Sequence, residues 1–468
     1  MPPQPTSPFV HRELDFYQTS DNFYLVPLKN AAVNQKGLVI NRQTEEVTVS
    51  EGVGAVVASL YPSRRVHGVF GSIRLIAGKY LLLVSRVAKI GEIMAEPIYR
   101  VKAIEMIPYH HSELHLTEEQ KRFNTQYIAM VQSFLQSDGF HLSYSYDLSR
   151  TLQSRYQKNR ELENQKALFE RADGRFVWNQ ALVEDLFGES GQKDLDAFCL
   201  PVIFGFIVQY PVVVNGKNFL YTLISRRAAE GAGTRLFYRG VNHCGHVANY
   251  VETEQIICYP NGAASSYVQI RGSIPLHWSQ YPDLRYKPPP TINHDLPNAA
   301  HFLGHLQSVL SETAMYESLV MLNLIDHHGP EEALLKKLHS TFGEISYQLA
   351  PKKVYLESFD FHRECRANRW DRLSLLLDKV AHHIDKFGYF STTERDTYQQ
   401  GVFRTNCVDS LDRTNVVQSL LAKCSLEQQL THFGIISHGQ KVEDFDGLWH
   451  MFRNGKDYGC GSERLGGQ

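Results

Sequence analysis

Short apolar runs of the β type fill the N-terminal part of the chain and alternate with glycine and polar breaks. The runs cover residues 23–26, 37–40, 47–49, 72–76 and 80–84. Apolar runs of about four to eight residues bounded by turn residues are typical of strands. We therefore predict an antiparallel layer over residues 21–110, further strands over residues 174–280 and a loose tail over residues 1–20.

Helical patterns appear later in the chain. Thr117 and Gln120 are spaced as in a capping box, and Phe123, Tyr127, Val131 and Leu135 follow four residues apart. From residue 299 onward helical spacing dominates, and we predict helices over residues 306–324 and 373–387. Strand layers mixed with helices indicate an α/β or α+β chain.

Two segments bear on domain organisation and on membranes. Residues 148–173 are charged and rich in glutamine without an apolar stripe, which predicts a linker or mobile segment. The most apolar run, residues 201–214, is broken by Gln209 and Tyr210. Because a membrane span needs about 20 apolar residues, we interpret it as buried strands and expect no span. Residues 1–5 lack a basic start and an apolar run, so we expect no signal peptide.

Composition limits the function classes. The 468 residues allow two or three domains, and a hydrophobic content of 43% supports real cores. A net charge of −2 gives no overall attraction to nucleic acid, so nucleic acid is not an expected partner. The seven cysteines, an odd number without paired short spacing, argue against a disulfide framework and a zinc site and favour a reducing compartment.

One stretch joins a predicted strand to a predicted helix and carries a cysteine, an arginine and a threonine. A buried strand ends at residues 401–403, and apolar residues recur at helical spacing from Val416 to a stop at Gly434. Between them the chain reads Arg404, Thr405, Asn406, Cys407, Val408, Asp409, Ser410, Leu411, Asp412, Arg413, Thr414 and Asn415. Five residues thus separate Cys407 from Arg413.

A strand-to-helix loop of this kind favours anions, because its backbone N–H groups point inward and the helix dipole adds positive charge. The same charges lower the pKa of a cysteine from about 8.5 and favour the thiolate. We predict that Cys407 attacks a phosphate ester and forms a phosphocysteine without metal or cofactor. Arg413 would grip two phosphoryl oxygens, and Thr414 could donate a hydrogen bond to the sulfur. Val408, Ser410 and Leu411, with Asn406 as a brace, are expected to hold the phosphate.

Spacing alone leaves a buried cysteine beside a surface arginine as an equal alternative. The two aspartates of the loop have opposite effects on phosphate binding and on catalysis. They oppose phosphate binding unless they turn outward or carry a proton, yet an acid near the leaving oxygen is what the reaction needs. Asp409 and Asp412 are therefore both candidates for the general acid.

The sequence resembles the Sac-domain phosphoinositide phosphatases, in this loop and in further stretches. These stretches are residues 175–179, 201–206, 224–227, 251–255, 269–275, 278–280, 359–365 and 369–371. The resemblance runs from about residue 20 to about residue 450 and is closest to the endoplasmic-reticulum and Golgi phosphatidylinositol-phosphate phosphatases. Tyrosine-phosphatase loops usually have histidine before the cysteine and a glycine within the loop, which disfavours a protein phosphatase.

The resemblance implies an α/β chain with a Sac-type N-terminal β-rich domain over residues 21–165, packed on a cysteine-based phosphatase domain over residues 166–450. It implies metal-independent hydrolysis of phosphatidylinositol 4-phosphate and 3-phosphate, with the 3,5-bisphosphate as a further candidate, and slightly favours Asp409 as the acid. The partners would be a phosphoinositide lipid and a membrane surface, on the cytosolic face of the endoplasmic reticulum or Golgi. The oligomeric state is left open.

Basic and metal-type side chains outside the loop have two interpretations each. Five arginines within or near predicted strands could converge on an inositol headgroup or could be solvated strand ends: Arg226, Arg227, Arg235, Arg239 and Arg271. Asp360, His362 and Glu364 have the residue types of a metal cluster, but we interpret them as packing under the loop. No metal site is predicted.

Two departures from the family pattern affect the function. The second cysteine of the family loop is replaced by Ser410, which leaves the nucleophile intact. We expect residues 451–468 to be an atypical glycine-rich tail. Family members of the type that the chain resembles end in two membrane helices, and we expect this chain to stop before them, which leaves anchoring and full activity open. The alternative function is a weakly active or inactive lipid-binding or adaptor form of the same fold.

Overall fold

The computed structural model describes residues 10–28, 36–157, 166–188, 194–233, 238–281, 283, 288–312, 316–349, 353–393 and 397–459. Its contacts divide the chain into two compact units. The first comprises residues 1–150 and 156–204, and the second comprises residues 151–155 and 205–468. The division thus falls near residue 204, whereas the resemblance implied a boundary at residues 165–166.

The first unit is built on antiparallel strands. One sheet has the order β4-β3-β2-β1-β5, with β1 Leu14–Gln18, β2 Asn22–Pro27, β3 Gly37–Asn41, β4 Val47–Ser50 and β5 Arg64–Val66. Neighbouring pairs also join β6 Val69–Leu75, β7 Gly78–Ile93, β8 Glu96–Pro108 and β9 Phe140–Leu142. The predicted antiparallel layer is confirmed, but the predicted loose tail is wrong for residues 14–18, because Phe16 is buried in the core with Phe23.

Among the residues that the structure describes, five α-helices lie between residue 53 and residue 187. They are α1 Val53–Val57, α2 Glu118–Leu135, α3 Leu152–Gln157, α4 Leu168–Arg171 and α5 Gln180–Phe187. The capping box of α2 is confirmed, since Thr117 and Gln120 satisfy each other's backbone N–H groups. The linker predicted over residues 148–173 is wrong where the structure describes it, because α3 and α4 form there and Leu152 and Leu168 are buried.

The second unit combines an antiparallel meander with a parallel group. The meander consists of β10 Ile203–Val214, β11 Lys217–Arg227, β12 Val251–Cys258 and β13 Ala264–Arg271. The parallel group continues in the order β13-β19-β16-β17, with β16 Ser318–Asn323, β17 Lys353–Ser358 and β19 Gly401–Asn406. The remaining short strands are β14 Trp278–Ser279, β15 Thr291–Ile292 and β18 Phe390–Ser391.

Helices accompany the strands of the second unit. They are α6 Asn298–Glu312, α7 Glu332–Ile345, α8 Phe361–Glu364, α9 Leu373–Phe387, α10 Asp412–His432 and α11 Asp446–Gly459. The helix predicted over residues 373–387 is confirmed. The one predicted over residues 306–324 is wrong in its second half, which is β16. The first part of the predicted glycine-rich tail belongs to α11, where Met451 and Phe452 are buried.

The parallel group sets the position of the loop. Every residue of β13, β16 and β19 is buried, as expected for strands covered on both faces. A side chain at Gly401 would lie 2.3 Å from the Phe387 ring, so only glycine lets α9 pack so closely on β19. Because β13, β16, β17 and β19 run in the same direction, their carboxyl ends meet at one sheet edge, where α/β proteins place ligands.

Within the described residues, no helix combines the length and apolar character that crossing a membrane requires.

Candidate active site

Cys407 directly follows β19 and opens the loop that leads into α10. A polar network buried beneath the loop fixes its starting point. The amide of Asn406 donates to Asn323 Oδ1 at 2.7 Å, which ties β19 to β16. The guanidinium of the fully buried Arg404 donates to Asn406 Oδ1 at 3.2 Å and to the Ser273 carbonyl at 2.7 Å. The network therefore holds the last residues of β19, directly before the cysteine, in one position.

His305 completes this network as a neutral acceptor. Arg404 Nε lies 3.1 Å from His305 Nε2, and His305 Nδ1 lies 3.0 Å from the Gly245 carbonyl. Burial and the positive Arg404 lower the pKa of His305 well below its usual value. A neutral ring that carries its hydrogen on Nδ1 can accept from Arg404, so the buried arginine is satisfied without a carboxylate at this contact.

Three groups, from the loop and from the first turn of α10, surround the sulfur. The backbone N–H of Ser410 lies 3.1 Å from Cys407 Sγ, and the Thr414 hydroxyl donates to Sγ at 3.3 Å. The thiol itself donates to Asp409 Oδ1 at 3.2 Å, and that oxygen also accepts the Leu411 N–H at 3.1 Å. The sulfur thus has two donors that stabilise a thiolate and one carboxylate placed to take its proton.

Ser410 holds the loop in a conformation that side chains rarely adopt. Its φ of 55° lies in the left-handed region, which costs of order 1 kcal/mol or more for a residue other than glycine. The Ser410 hydroxyl donates to the Gly272 carbonyl at 2.9 Å, which ties the loop to the end of β13. This turn directs the Ser410 N–H at the sulfur, so the position where the chain departs from the family loop has a structural role.

The resting thiol is less acidic than the sequence suggested. Burial raises the pKa of the Cys407 thiol and the Asp409 carboxylate raises it further, whereas Arg413 and the Thr414 hydroxyl lower it. The raising effects are larger, because the sulfur is fully buried and the aspartate lies beside it. The expectation of a pKa lowered by the loop and the helix dipole is therefore wrong, because burial and Asp409 raise the pKa of the Cys407 thiol.

We expect iodoacetamide to modify Cys407 slowly at pH 7 and faster as the pH rises past 9. Below the pKa of the thiol, the thiolate fraction grows about tenfold for each pH unit. Peptide mass spectrometry after timed labelling would measure this, with the exposed Cys244 as the internal control. Rapid labelling of Cys407 at pH 7 that does not increase at higher pH would contradict the raised pKa of the thiol.

Arg413, in the first turn of α10, is held by carboxylates. Its Nη1 donates to Glu331 Oε2 at 3.1 Å and to the Leu324 carbonyl at 3.0 Å, and Nη2 donates to Glu331 Oε1 at 3.2 Å. Asp326 Oδ1 lies 3.4 Å from Nη1. Although burial opposes the charge, the Cys407 side chain and Glu331 raise the pKa of Arg413. A bound phosphate dianion would compete with these carboxylates for the guanidinium.

The arginines predicted to bind the headgroup differ in their hydrogen-bond partners. Arg271 is buried and donates to Asn415 Oδ1 on α10. Arg227 donates to Asn249 Oδ1 at 2.8 Å and to the Gly233 carbonyl, and burial lowers its pKa. Arg239 donates to Gln280 Oε1 at 2.9 Å. Arg235 lies outside the described residues. Of these arginines, Arg271 is the one with a described contact to the helix that follows the loop.

Arg226 does not fit a headgroup site, and that prediction is wrong. The side chain has no exposed surface, and Nη2 lies 2.6 Å from Glu254 Oε2 and Nη1 3.4 Å from Glu252 Oε1. Strand β11 pairs with β12 so that Arg226 lies opposite Glu252, and both carboxylates are buried with it. The arginine therefore neutralises two buried acids, which is a structural role.

Arg226→Ala should lower the free energy of unfolding by roughly 3–5 kcal/mol, because it leaves two buried carboxylates without their cation. Urea unfolding followed by circular dichroism would measure the change, with the exposed Arg122→Ala as control. An unchanged unfolding midpoint together with weaker lipid binding would instead support the headgroup role.

The three residues with the types of a metal cluster, Asp360, His362 and Glu364, have separate partners. Asp360 Oδ1 accepts the Arg363 N–H at 3.1 Å and caps α8. His362 Nδ1 lies 2.8 Å from Asp326 Oδ1, and Glu364 pairs with Arg372. Among the residues that the structure describes, no three histidine, cysteine, aspartate or glutamate side chains are grouped to hold a metal ion.

Comparison with known proteins assigns the family. Residues 67–366 match the family model described as the SacI homology domain, which is well over half of the chain. The chain belongs to the SacI homology domain family. The match stops before the loop of Cys407, so the geometry of the loop is an independent observation.

Relatives of this Sac-domain chain cover almost all of it. It is 38% identical over 448 residues to the phosphatidylinositol-3-phosphatase SAC1-B of Danio rerio, covering 95% of this chain and 74% of the relative. It is 37% identical to the phosphatidylinositol-3-phosphatase SAC1 of Drosophila melanogaster, covering 94% and 73%. It is 32% identical to the phosphoinositide phosphatase SAC8 of Arabidopsis thaliana, covering 95% and 73%.

The sequence patterns missed several residues of the Sac-domain site. Asp326 and Glu331 follow β16, and because that strand was interpreted as helix, no sheet edge was expected there. A signal was present, since a short apolar run followed by an acid can mark a buried strand that ends at a site. His305 lies in α6 and gives no such signal, because its contact with Arg404 spans 99 residues.

Proposed function

We propose that this chain is a metal-independent phosphoinositide phosphatase that acts through a phosphocysteine on Cys407. The observation that supports this most strongly is the sulfur itself, which is met by an N–H donor, a hydroxyl donor and a proton-accepting carboxylate within 3.3 Å. The relatives named as phosphatidylinositol-3-phosphatases and phosphoinositide phosphatases support the substrate class. Phosphatidylinositol 4-phosphate and 3-phosphate are the proposed substrates, with the 3,5-bisphosphate as a further candidate.

The first step begins with the thiol proton. The Cys407 thiol gives its proton to Asp409 along the existing hydrogen bond, and the Ser410 N–H and Thr414 hydroxyl stabilise the thiolate that forms. This route explains how a thiol with a raised pKa reacts at neutral pH. Sulfur then attacks phosphorus, and the bond to the inositol oxygen breaks.

Arg413 is the proposed clamp for the transferring phosphoryl group. Its planar fork matches two phosphoryl oxygens, and stabilising the charge that spreads over them is the main requirement of phosphoryl transfer. Glu331 already engages both terminal nitrogens in the geometry that a phosphate would use. The loop N–H groups of Val408, Ser410 and Leu411 would serve the remaining oxygens.

The alternative function is a weakly active or inactive form that binds phosphoinositide lipid. Two features favour it: burial and the neighbouring Asp409 raise the pKa of the Cys407 thiol, and Arg413 is engaged by Glu331 and Asp326. In this alternative the acids keep the guanidinium, so lipid binds without turnover.

We further propose that the substrate is reached at a membrane surface on the cytosolic face of the endoplasmic reticulum or Golgi. The resemblance to that subgroup supports the location, and the names of the relatives, which specify a phosphatidylinositol phosphate, support a lipid substrate. Binding of the chain to liposomes with and without phosphatidylinositol 4-phosphate would test the surface part of this proposal.

The test of the function is phosphate release from a panel of substrates in the presence of a chelator. The panel contains short-chain phosphatidylinositol 4-phosphate, 3-phosphate and 3,5-bisphosphate and a phosphotyrosine peptide. We expect release from the lipids, unaffected by chelator, and little from the peptide. Lipid binding without release would support the alternative, and release that needs a metal would contradict the mechanism.

A further inference from the structure

Asp409 is not positioned to protonate the oxygen of the leaving inositol. In an in-line displacement the attacking sulfur and the leaving oxygen lie on opposite sides of phosphorus. Asp409 Oδ1 lies 3.2 Å from the sulfur and is its hydrogen-bond acceptor, so it is on the nucleophile's side. It can take the thiol proton, but it is poorly placed to protonate an oxygen beyond the phosphorus. The acid must therefore come from another segment at this sheet edge.

At this sheet edge a histidine is paired with a carboxylate, in the arrangement of a general acid and the group that orients it. His362 follows β17, Asp326 follows β16, and both lie at the carboxyl ends of strands parallel to β19. Asp326 contacts His362 Nδ1 at 2.8 Å with Oδ1 and at 3.0 Å with Oδ2. The carboxylate fixes the hydrogen on Nδ1 and leaves Nε2 as the reactive nitrogen, as in catalytic triads.

The same carboxylate links His362 to the phosphoryl clamp. Asp326 Oδ1, which accepts from His362, also lies 3.4 Å from Arg413 Nη1. The His362 side chain is 48% exposed, so a substrate can reach it, whereas Arg413 is only 10% exposed. Among the described residues no hydrogen bond occupies His362 Nε2. A phosphate held by Arg413 would thus lie near a histidine with a free nitrogen.

Backbone contacts keep the two segments together. The Asp360 carboxylate accepts the His327 N–H at 3.2 Å and the Arg363 N–H at 3.1 Å, which joins the segment of His362 to that of Asp326. Glu331 Oε2 accepts the Asp326 N–H at 2.8 Å. Glu331, which holds Arg413, therefore also fixes the backbone of Asp326, whose carboxylate orients His362.

We propose that His362 is the general acid of this phosphatase, oriented by Asp326, and that its Nε2–H protonates the inositol oxygen as the P–O bond breaks. The proposal rests on the proposed function. The thiol proton goes to Asp409, and the imidazolium becomes neutral imidazole when the alcohol leaves. Water then attacks phosphorus from the side that the alcohol vacated and gives its proton to Nε2. The P–S bond breaks, and Asp409 returns its proton to the sulfur, so both groups are restored.

The test uses two leaving groups under single-turnover conditions, with enzyme in excess over substrate. An inositol alkoxide needs an acid, whereas 4-nitrophenolate leaves without one. His362→Gln should slow release of the inositol lipid from phosphatidylinositol 4-phosphate by on the order of 10²–10⁴-fold. Release of 4-nitrophenol from 4-nitrophenyl phosphate should change by less than about fivefold, because the first step alone is measured and that step needs no proton for this substrate.

Three further variants serve as controls for this result. His328→Gln removes an exposed neighbouring histidine and should change neither rate. Asp326→Asn keeps a hydrogen-bonding partner but no longer fixes the tautomer, so it should show the same selective loss even if His362→Gln folds poorly. Asp412→Asn tests the other candidate acid and should slow both substrates equally or neither.

Equal slowing of both substrates by His362→Gln in a folded protein would mean a structural role and would overturn the proposal. Unchanged rates, or a selective loss in Asp412→Asn instead, would overturn it as well. If the unmodified chain releases neither product, the proposed function fails, and this outcome is distinct from failure of the acid assignment alone.

Discussion

Cys407→Ser is expected to lower phosphate release from phosphatidylinositol 4-phosphate by at least about 10⁴-fold, the loss typical of removing a covalent nucleophile. The serine hydroxyl has a much higher pKa than the thiol, and Asp409 cannot deprotonate it to a useful extent. The substitution is nearly isosteric, so the contacts from Ser410 and Thr414 should remain. Initial rates from a phosphate-release assay, corrected for background hydrolysis, would measure the loss.

The matched control is Cys199→Ser, which makes the same chemical change at a buried cysteine outside the loop. That variant should keep full activity. Release at the unmodified rate from Cys407→Ser would exclude Cys407 as the nucleophile, and loss in both variants would point to instability rather than chemistry.

Arg413→Lys should reduce kcat by on the order of 10³-fold while changing KM much less. Lysine keeps the positive charge but not the planar fork, so it cannot hold two phosphoryl oxygens in the transition state. It also cannot engage both oxygens of Glu331, which Arg413 does at 3.1 and 3.2 Å. Steady-state kinetics on short-chain lipid would separate kcat from KM.

Arg122→Lys provides the control for this substitution at an exposed site on α2. Comparison of the urea unfolding midpoints of the two variants shows whether Arg413→Lys remains folded. A folded Arg413→Lys enzyme with unchanged kcat would mean that Glu331 and Asp326 keep the guanidinium throughout the cycle, as in the alternative function.

The strand, loop and helix around Cys407 could be predicted because their signals are local. Residues 401–403 form an apolar run, and the helical spacing after the loop ends near Gly434, close to the end of α10 at His432. Cys407 and Arg413 can therefore be placed between these two elements without knowledge of any long-range contact. The cysteine and the arginine follow from spacing in the same way.

The acids around Arg413 could not be predicted in the same way. All six residues of β16 are buried, so the strand appears as a continuous apolar run that periodicity cannot distinguish from a buried helix. Once that run was assigned to a helix, Asp326 had no reason to lie beside the loop. His362 was noted, but its contact with Asp326 spans 36 residues and is set by the parallel pairing of β16 with β17.

Two errors of chemistry arose from features that only the folded chain shows. Arg226 resembled a headgroup ligand because Glu252 and Glu254 come beside it only through the register of β11 with β12. The thiol of Cys407 was expected to be acidic, because the loop amides and the dipole are visible in the sequence and the extent of burial is not. In the folded chain burial and Asp409 determine the direction of the shift in its pKa.

The central claim is that phosphate passes through the sulfur of Cys407, and trapping that species tests it most directly. A reaction with phosphatidylinositol 4-phosphate, quenched in denaturant within the first turnover, would be digested and analysed by peptide mass spectrometry. We predict phosphate on the peptide of Cys407, its loss when the substrate is exhausted before the quench, and its absence in Cys407→Ser. Steady turnover with no phosphorylated Cys407 at any time, or phosphate on another residue, would contradict the account.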